Sequence, residues 1–251
     1  MDNQDRFQRQ QMLELYADKQ ELLAHKKVGF IGVGGAGGLS SLLLALAGVG
    51  EIRIADFDTV AVHNLHRQIL FTQSNIGAPK VWAAYERIKE RNSACNVNAF
   101  DEKINESNFA RFSKDLDLLV DVSDNALSRL AISKLALDQS LDLISGAVSA
   151  YTALIAIFAY HDPNFVKTHG CYRCLTSGFP INTKVGITGP IAESAAALTA
   201  HSALEYLAGN HEHVGQLIKL DLRAMSMRKL TLMKDPECEA CKQSSLVPCL
   251  L

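Results

Sequence analysis

The sequence predicts an α/β fold with a Rossmann-like, doubly wound sheet. An apolar run at residues 28–33 leads into a glycine-rich turn, apolar runs and helical stretches then alternate up to residue 150, and two Cys-x-x-Cys pairs flank a β-rich region after it. Such alternation is typical of βαβ units and a parallel sheet. We therefore expect a sheet that is parallel at first and mixed or antiparallel towards the C-terminus, where the cysteine pairs staple an extension.

Composition limits the classes of partner. Of the 251 residues 48% are hydrophobic, so the chain can bury a sizeable core and is not disordered. The 25 basic and 27 acidic residues give no reason to expect a nucleic acid or a membrane as partner. Residues 143–160 carry no charge, but Ser145 and Gly146 interrupt this run, which predicts two buried strands joined by a turn rather than a membrane helix. The first 27 residues lack the apolar segment of a secretory signal, so a cytoplasmic location is expected.

The elements can be assigned in order along one domain, residues 1–251. Residues 1–27 predict a polar helical segment, residues 28–150 a nucleotide-binding core, and residues 151–251 a β-rich part. The predicted strands are 28–33, 51–56, 116–122, 141–147, 154–160, 217–222 and 227–233. The predicted helices are 39–47, 80–91, 125–139 and 191–209. The right-handed crossover of a βαβ unit places the first two strands in one parallel sheet.

Glycines between the first strand and the first core helix are the earliest sign of a ligand. A turn of this kind presents backbone N–H groups and the positive end of a helix to a phosphate. The candidates are Gly32, Gly34, Gly35 and Gly37. Asp56, which ends the second strand, is placed to accept hydrogen bonds from ribose hydroxyls. The alternative is that the glycines serve only close packing of strand and helix.

Charged residues after Asp56 favour a triphosphate over a dinucleotide. Arg67 and Lys80 can neutralise the charge that develops on a leaving pyrophosphate, whereas hydride transfer has no need of them. As an alternative, each is an ordinary surface charge. Asp124 and Asn125 follow the predicted strand 116–122, at the edge of the sheet where ligands bind. Asp124 is a candidate Mg²⁺ ligand, and a helix N-cap is the other interpretation of this pair.

Together these motifs resemble the ThiF/MoeB/HesA family of ubiquitin-activating-enzyme-like adenylyltransferases. The resemblance runs from Arg6 to Cys241. It rests on Arg-x-x-Arg-Gln at 6–10, Gly-x-Gly-Gly-x-Gly at 32–37, Asp-x-Asp-Thr-Val at 56–60, Asn-Leu-x-Arg-Gln at 64–68, Gly-x-Pro-Lys at 77–80, Ser-Asp-Asn at 123–125, Cys-Tyr-Arg-Cys at 171–174 and Cys-x-x-Cys at 238–241. It implies an enzyme that uses MgATP to adenylate the C-terminal Gly-Gly carboxylate of a ubiquitin-like sulfur carrier protein and releases pyrophosphate.

The resemblance also implies roles for single residues. The glycines would hold phosphate and Asp56 the ribose, while Asn64, Arg67 and Lys80 would contact the triphosphate. Asp124 would bind Mg²⁺, and Arg9 would reach the γ-phosphate from the partner subunit of a homodimer. Further expected nucleotide-binding residues are Asp58, Gln68 and Asn125. Two alternatives of other classes are an NAD(P)-dependent oxidoreductase and a non-catalytic nucleotide-binding scaffold.

The two cysteine pairs predict a structural zinc site. Cys171, Cys174, Cys238 and Cys241 supply four thiolates, which suffice for a closed tetrahedral Zn²⁺ centre. A redox role is disfavoured, because we expect neither pair to open a helix after a thioredoxin-type strand.

One departure from the family pattern concerns covalent chemistry. Relatives that form a thioester or persulfide carry a cysteine in the loop that corresponds to residues 175–188, where this chain has Asn182 and no cysteine. Cys95 and Cys249 remain as candidates. We therefore expect the enzyme to stop at the acyl-adenylate and to pass it to a separate sulfur donor. The sequence does not distinguish a thiamine-type carrier, a molybdopterin-type carrier and a peptide as substrate.

Overall fold

Eight strands form one sheet in the computed structural model, which describes residues 5–177 and 185–242. The strand order is β3-β2-β1-β4-β5-β6-β7-β8. The bounds are β1 Lys27–Ile31, β2 Glu51–Ala55, β3 Asn96–Phe100, β4 Leu118–Asp121, β5 Leu143–Ser149, β6 Thr152–Phe158, β7 Gln216–Asp221 and β8 Ser226–Thr231. The first five are parallel and the last three pair antiparallel. The predicted fold class is therefore confirmed.

Helices cover both faces of this sheet. Their bounds are α1 Gln8–Gln11, α2 Gln20–His25, α3 Gly35–Leu46, α4 Lys80–Arg91, α5 Glu106–Ser113, α6 Ala126–Asp138, α7 Pro163–His169, α8 Tyr172–Thr176, α9 Gly189–Leu207 and α10 Glu239–Lys242. Helices α3, α4 and α9 bury apolar residues in one core, and α5 to α8 do so in a second core on the other face. Alternate residues of β4 face the two cores, since Leu118 and Val120 belong to the first and Leu119 to the second. The fold is thus a three-layer sandwich.

The uncharged run at 143–160 forms β5 and β6, which pair antiparallel as a hairpin. This confirms the prediction of two buried strands. Among the helices of the described residues, none is both long and apolar enough to cross a bilayer.

The parallel strands end together at one edge of the sheet. Ile31 of β1 lies between Ala55 of β2 and Asp121 of β4 in the strand register. The chain leaves β1 towards one face and β4 towards the other, so the strand order reverses between them. In open α/β sheets such a switch point is where ligands bind. It brings together the segments that begin at Gly32, Asp56 and Val122.

Candidate functional site

The glycine turn leads from β1 directly into α3. Gly32 has a φ of 88°, a left-handed conformation that glycine adopts without strain. A Cβ atom at Gly37 would lie 1.9 Å from the carbonyl oxygen of Gly32, so only glycine allows the turn to close this tightly. The first N–H groups of a helix have no partner within it, and here they face the switch point. The turn can therefore bind an anion such as phosphate.

Asp56 is fixed beside this turn by backbone hydrogen bonds. Its Oδ2 accepts the N–H of Val33 and its Oδ1 that of Asp58, both at 2.9 Å. Burial raises the pKa of the Asp56 carboxyl, and the two N–H groups and the charge of Lys80 offset part of the rise. A carboxylate oxygen accepts more than one hydrogen bond, so Asp56 can still take ribose hydroxyls.

The turn at residues 64–68 lies against the glycine turn. A Cβ atom at Gly35 would lie 2.9 Å from the carbonyl oxygen of Arg67, and one at Gly34 would lie 3.3 Å from Nε2 of Gln68. Buried Asn64 holds the turn, because its Oδ1 accepts the Ala61 N–H at 3.0 Å. The Oε1 of buried Gln68 has no hydrogen-bond partner among the described residues. A buried acceptor without a partner beside a helix N-terminus suits a bound group that donates hydrogen bonds.

The two expected cations differ in their surroundings. Lys80 begins α4, is 8% exposed in its side chain and pairs at 2.9 Å with Oδ2 of Asp58, which is 52% exposed. Arg67 donates instead to the carbonyl oxygen of His63 at 2.8 Å and contacts Nε2 of His66 at 2.7 Å. The backbone of Arg67 is therefore at the glycine turn, while its guanidinium is folded onto its own turn.

The loop after β4 carries Asp124 and lies against Gly32. A Cβ atom at Gly32 would be 3.2 Å from the Cα of Ser123. Asn125 caps α6, since its Oδ1 accepts the N–H groups of Leu127 and Ser128 at 2.9 and 3.1 Å. Asp124 is exposed and has no hydrogen bond or ion pair with the residues that the structure describes. Its carboxylate is thus free to take a cation at the glycine turn.

Arg9 does not reach this site within its own chain. Gln10, its neighbour on α1, donates to the carbonyl oxygen of Ala47 at 3.0 Å, just beyond the C-terminal end of α3. The glycine turn is at the other end of α3, and a helix of 12 residues spans about 18 Å. The expected role of Arg9, contact with the γ-phosphate from a partner subunit, therefore stays a prediction.

A cleft of about 750 Å³ is also distant from the glycine turn, since its walls include Phe7, Gln20 and Gly48. Cys95 lies in its lining. Burial raises the pKa of Cys95 to about 11, and its thiol lies 3.4 Å from the carbonyl oxygen of Val49. A buried, protonated thiol is a poor nucleophile. Asn182 and Cys249, the other residues considered for covalent chemistry, lie outside the described residues.

The four paired cysteines form one cluster. All four are buried, and their sulfur atoms lie within 4.8 Å of one another. The Cys171–Cys238 and Cys174–Cys241 sulfur distances are 3.9 and 3.5 Å. A tetrahedral zinc ion with Zn–S bonds of about 2.3 Å separates its sulfurs by about 3.8 Å. The cluster can therefore hold a zinc ion.

The charges of the cluster also suit a cation. A hydrogen bond with Cys241 lowers the pKa of Cys171 to about 6, and the same hydrogen bond raises that of Cys241. Burial raises the pKa of Cys238. One thiolate thus disfavours the ionisation of its neighbours, and a divalent metal removes this conflict.

Each cysteine pair opens a short helix, but neither helix has the thioredoxin-type arrangement of a helix that directly follows a strand, as expected. Cys171 directly precedes α8 and Cys238 directly precedes α10. The helices are a single turn each, too short for the sequence pattern to show. Neither follows a strand directly, and the close grouping of four thiols still favours a metal.

Helix α9 forms a wall of the site that sequence reasoning missed. A Cβ atom at Gly35 would lie 3.1 Å from the Cβ of Ala192, and one at Gly189 would lie 2.7 Å from the carbonyl oxygen of His66. Glu193 follows, and its carboxylate oxygens are shielded from solvent without a hydrogen-bond partner among the described residues. Burial raises the pKa of Glu193 to about 7, and the nearby Ile69 N–H offsets part of the rise. The only sequence signal was an acid near the start of an Ala-rich helix.

The glycine turn, Asp56, the 64–68 turn, Lys80 and the Asp124 loop therefore meet at the switch point. Asp58, Gln68 and Asn125 are brought to the same edge, whereas Arg9 is not. This arrangement defines a doubly wound α/β protein of the nucleotide-binding class.

Comparison with known proteins narrows this class. The ThiF family model matches residues 7–240. The chain is 32% identical over 246 residues to the sulfur carrier protein adenylyltransferase of Thermus thermophilus, with 94% of this chain and 90% of the relative covered. It is 31% identical over 244 residues to the molybdopterin-synthase adenylyltransferase of Escherichia coli, with 95% and 96% covered. It is 30% identical over 251 residues to the ThiS adenylyltransferase of the same organism, with 97% of each covered. The chain belongs to the ThiF family and is an adenylyltransferase.

Solved structures agree on the fold. The microcin C7 biosynthetic enzyme MccB, in complex with N-formylated MccA, superposes with a TM-score of 0.82 at 22% identity, covering 96% of this chain and 76% of that one. The E. coli MccB structure with ATP superposes with a TM-score of 0.76 at 24% identity, covering 88% and 68%. At these identities the likeness concerns the fold alone.

Proposed function

We propose that this enzyme uses ATP to adenylate the C-terminal Gly-Gly carboxylate of a ubiquitin-like sulfur carrier protein and releases pyrophosphate. The observation that carries the proposal is the meeting of the glycine turn, Asp56, buried Lys80 and exposed Asp124 at one sheet edge. The names of the relatives support a carrier protein as the substrate class. These relatives are named as adenylyltransferases of a sulfur carrier protein, of molybdopterin synthase and of ThiS.

ATP is held by its phosphates and its ribose. The N–H groups at the start of α3, with Gly32, Gly34, Gly35 and Gly37 around them, bind phosphate. The Asp56 carboxylate accepts the ribose hydroxyls, and Gln68 offers its Oε1, which has no hydrogen-bond partner among the described residues. Asp58 contributes by orienting Lys80.

Cations stabilise the charge that develops during transfer. Asn64, Arg67 and Lys80 contact the triphosphate, and Arg67 turns away from His63 and His66 to do so. Asp124 holds Mg²⁺, which when bound neutralises phosphate charge, and Asn125 fixes the loop by capping α6.

The chemical step needs no general base. The carrier carboxylate is already ionised at neutral pH, so its oxygen attacks the α-phosphorus directly. A new C–O–P linkage forms as the bond to the pyrophosphate oxygen breaks, and the electron pair leaves with pyrophosphate. What the enzyme supplies is orientation and charge neutralisation.

A homodimer completes the site. Arg9 lies about one length of α3 from the glycine turn of its own chain, so it can serve only a second copy. In this proposal Arg9 contacts the γ-phosphate bound by the partner subunit.

The C-terminal part, residues 151–251, stabilises the single adenylyltransferase domain and docks the carrier. Cys171, Cys174, Cys238 and Cys241 hold a structural zinc ion. The edge strand β8 and its flanks expose large apolar side chains, with Met225 82% and Met233 78% exposed. Exposed apolar side chains beside a strand that forms the edge of the sheet among the described residues suit a protein partner.

The reaction stops at the acyl-adenylate, which a separate sulfur donor consumes. Supporting this, residues 175–188 contain no cysteine and Cys95 is buried with a raised pKa. Non-reducing intact-mass analysis after incubation with MgATP and carrier should show no enzyme–carrier adduct. A thiol-sensitive adduct that is lost in Cys95→Ala or Cys249→Ala would overturn this part.

Exchange of labelled pyrophosphate into ATP tests the proposed function. The probes are a sulfur carrier of the thiamine or molybdopterin type and the same carrier without its terminal glycine. Exchange stimulated by the intact carrier alone supports the proposal. Exchange without any carrier, or none with either carrier type, contradicts it, and ATP binding without exchange indicates a scaffold.

A further inference from the structure

Beneath the Asp124 loop lies a buried polar group that the adenylation chemistry does not use. Asp121, the last residue of β4, is 1% exposed. Ser145 of β5 is its partner in the strand register and is also buried. Oδ2 of Asp121 and the hydroxyls of Ser123 and Ser145 are buried without a hydrogen-bond partner among the described residues.

Packing does not account for a carboxylate at this place. Burial raises the pKa of Asp121, and the charge of Arg129 offsets part of the rise. A buried carboxylate with an unpaired oxygen costs folding free energy compared with a neutral side chain of the same shape. The role of Asp121 is therefore indicated by the hydrogen bond and the charge interaction that its carboxylate does make.

Those contacts hold one residue, Ser123, from both sides of its backbone. Oδ1 of Asp121 accepts the Ser123 N–H at 3.0 Å. Nε of Arg129, one turn into α6, donates to the Ser123 carbonyl oxygen at 2.6 Å. The backbone of Ser123 is thereby fixed against Gly32 of the glycine turn.

We propose that Asp121, together with Arg129, is a positioning residue that fixes Ser123 and so places the next residue, Asp124, for Mg²⁺. The inference rests on the proposed role of Asp124 as the Mg²⁺ ligand. Asp121 does not contact the nucleotide. Its carboxylate attracts Arg129 and accepts the Ser123 N–H, so the loop is clamped between β4 and α6.

Mg²⁺-dependent ATP binding tests this clamp. Equilibrium dialysis with labelled ATP over a series of Mg²⁺ concentrations gives the concentration at which the gain in ATP affinity is half complete. Asp121→Asn keeps the shape and an acceptor but removes the charge that attracts Arg129. We expect it to raise that Mg²⁺ concentration at least fivefold, while ATP affinity without Mg²⁺ stays within twofold of wild type.

Asp142→Asn is a matched control. Asp142 is also buried and hydrogen-bonded, to His161 and Tyr206, but it precedes β5 at the opposite edge of the sheet. It should lower the unfolding temperature without changing the Mg²⁺ dependence. An equal shift in Asp142→Asn, or an unchanged value in folded Asp121→Asn, overturns the inference. If Asp121→Asn does not fold, Arg129→Met removes the other half of the clamp and must give the same shift.

The proposed function can fail separately. Asp124→Ala should abolish the Mg²⁺ dependence that wild type shows. If wild type and Asp124→Ala respond to Mg²⁺ alike, the assignment of Asp124 is wrong, whatever the result for Asp121.

Discussion

At the scale of single residues, Asp124 gives the sharpest prediction. Asp124→Ala should lower carrier-dependent pyrophosphate exchange by far more than tenfold. A tenfold loss corresponds to about 1.4 kcal/mol of transition-state stabilisation. The physical reason is that Mg²⁺ loses a fixed ligand, while an exposed side chain contributes little to folding. Asp18→Ala, which removes an exposed acid from the cleft that Gly48 lines beyond the C-terminal end of α3, should keep wild-type exchange. Exchange by Asp124→Ala within tenfold of wild type would remove Asp124 from the mechanism.

Glu193 predicts a pH-dependent stability. Its pKa is raised from 4.5 to about 7 in the folded protein, so folding favours the protonated form. The contribution of Glu193 to the free energy of unfolding is therefore fully present below about pH 4.5 and is lost as the pH rises through about 7. Because Glu193 is only half buried, solvent screens its charge, and the resulting change in the free energy of unfolding is about 1 kcal/mol. Glu193→Gln should unfold about 2–4 °C higher than wild type at pH 8, with little difference at pH 5.

Thermal unfolding of wild type and Glu193→Gln at both pH values measures this. Glu106→Gln, which changes an exposed glutamate at the start of α5, is the control and should shift neither value. A difference of equal size at both pH values would show that the effect of Glu193 is not ionisation.

Some residue contacts were accessible from the sequence and others were not. The Asp124–Asn125 pair offered a helix N-cap from local sequence alone, and the structure assigns that cap to Asn125 and not to the Asp124 carboxylate. The burial of Gln68 beside the glycine turn and the clamp of Asp121 on Ser123 depend on tertiary contacts. Asp121 stands at the end of an apolar run, where the sequence shows only a strand.

At the scale of elements, the cysteine cluster predicts one zinc ion per chain. Cys174→Ser or Cys241→Ser should release zinc and lower the unfolding temperature more than it lowers the rate of adenylation, because structural zinc contributes folding free energy. A loss of about 2 kcal/mol corresponds to about 4–8 °C for a chain of this size. The Cys95→Ser variant should retain one zinc ion per chain, since Cys95 is outside the four-cysteine cluster. Metal analysis and calorimetry measure both quantities, and freshly purified protein without zinc would contradict the assignment.

Element bounds show where local patterns suffice. The helix predicted over 80–91 coincides with α4, because its apolar spacing is regular. Helix α3 begins at Gly35 rather than at 39, since its glycines, poor helix formers, are required there by contacts with Gly32 and Arg67. The short helices α5, α7, α8 and α10 were missed, because they are brief and their ends depend on tertiary packing.

At the scale of the whole molecule, the position of Arg9 predicts that two subunits share each site. Arg9→Ala and Asp124→Ala should each abolish exchange alone. Mixed dimers contain one site with both residues intact, so equal mixing should restore about a quarter of wild-type exchange. Exchange assays after dissociation and reassociation of the two variants measure this recovery. No recovery, with mixed dimers shown to form, would place Arg9 in the site of its own chain.

In the proposed reaction the whole enzyme transfers an adenylyl group to the carboxyl end of a sulfur carrier. Intact-mass analysis of the carrier, after incubation with enzyme, MgATP and inorganic pyrophosphatase, detects this transfer on the product itself. The carrier should become heavier by one adenylyl group, and this gain should be absent when the terminal glycine is deleted or when Asp124→Ala replaces wild type. A carrier of unchanged mass alongside ATP consumption, or an adenylyl group on the enzyme instead, would contradict it.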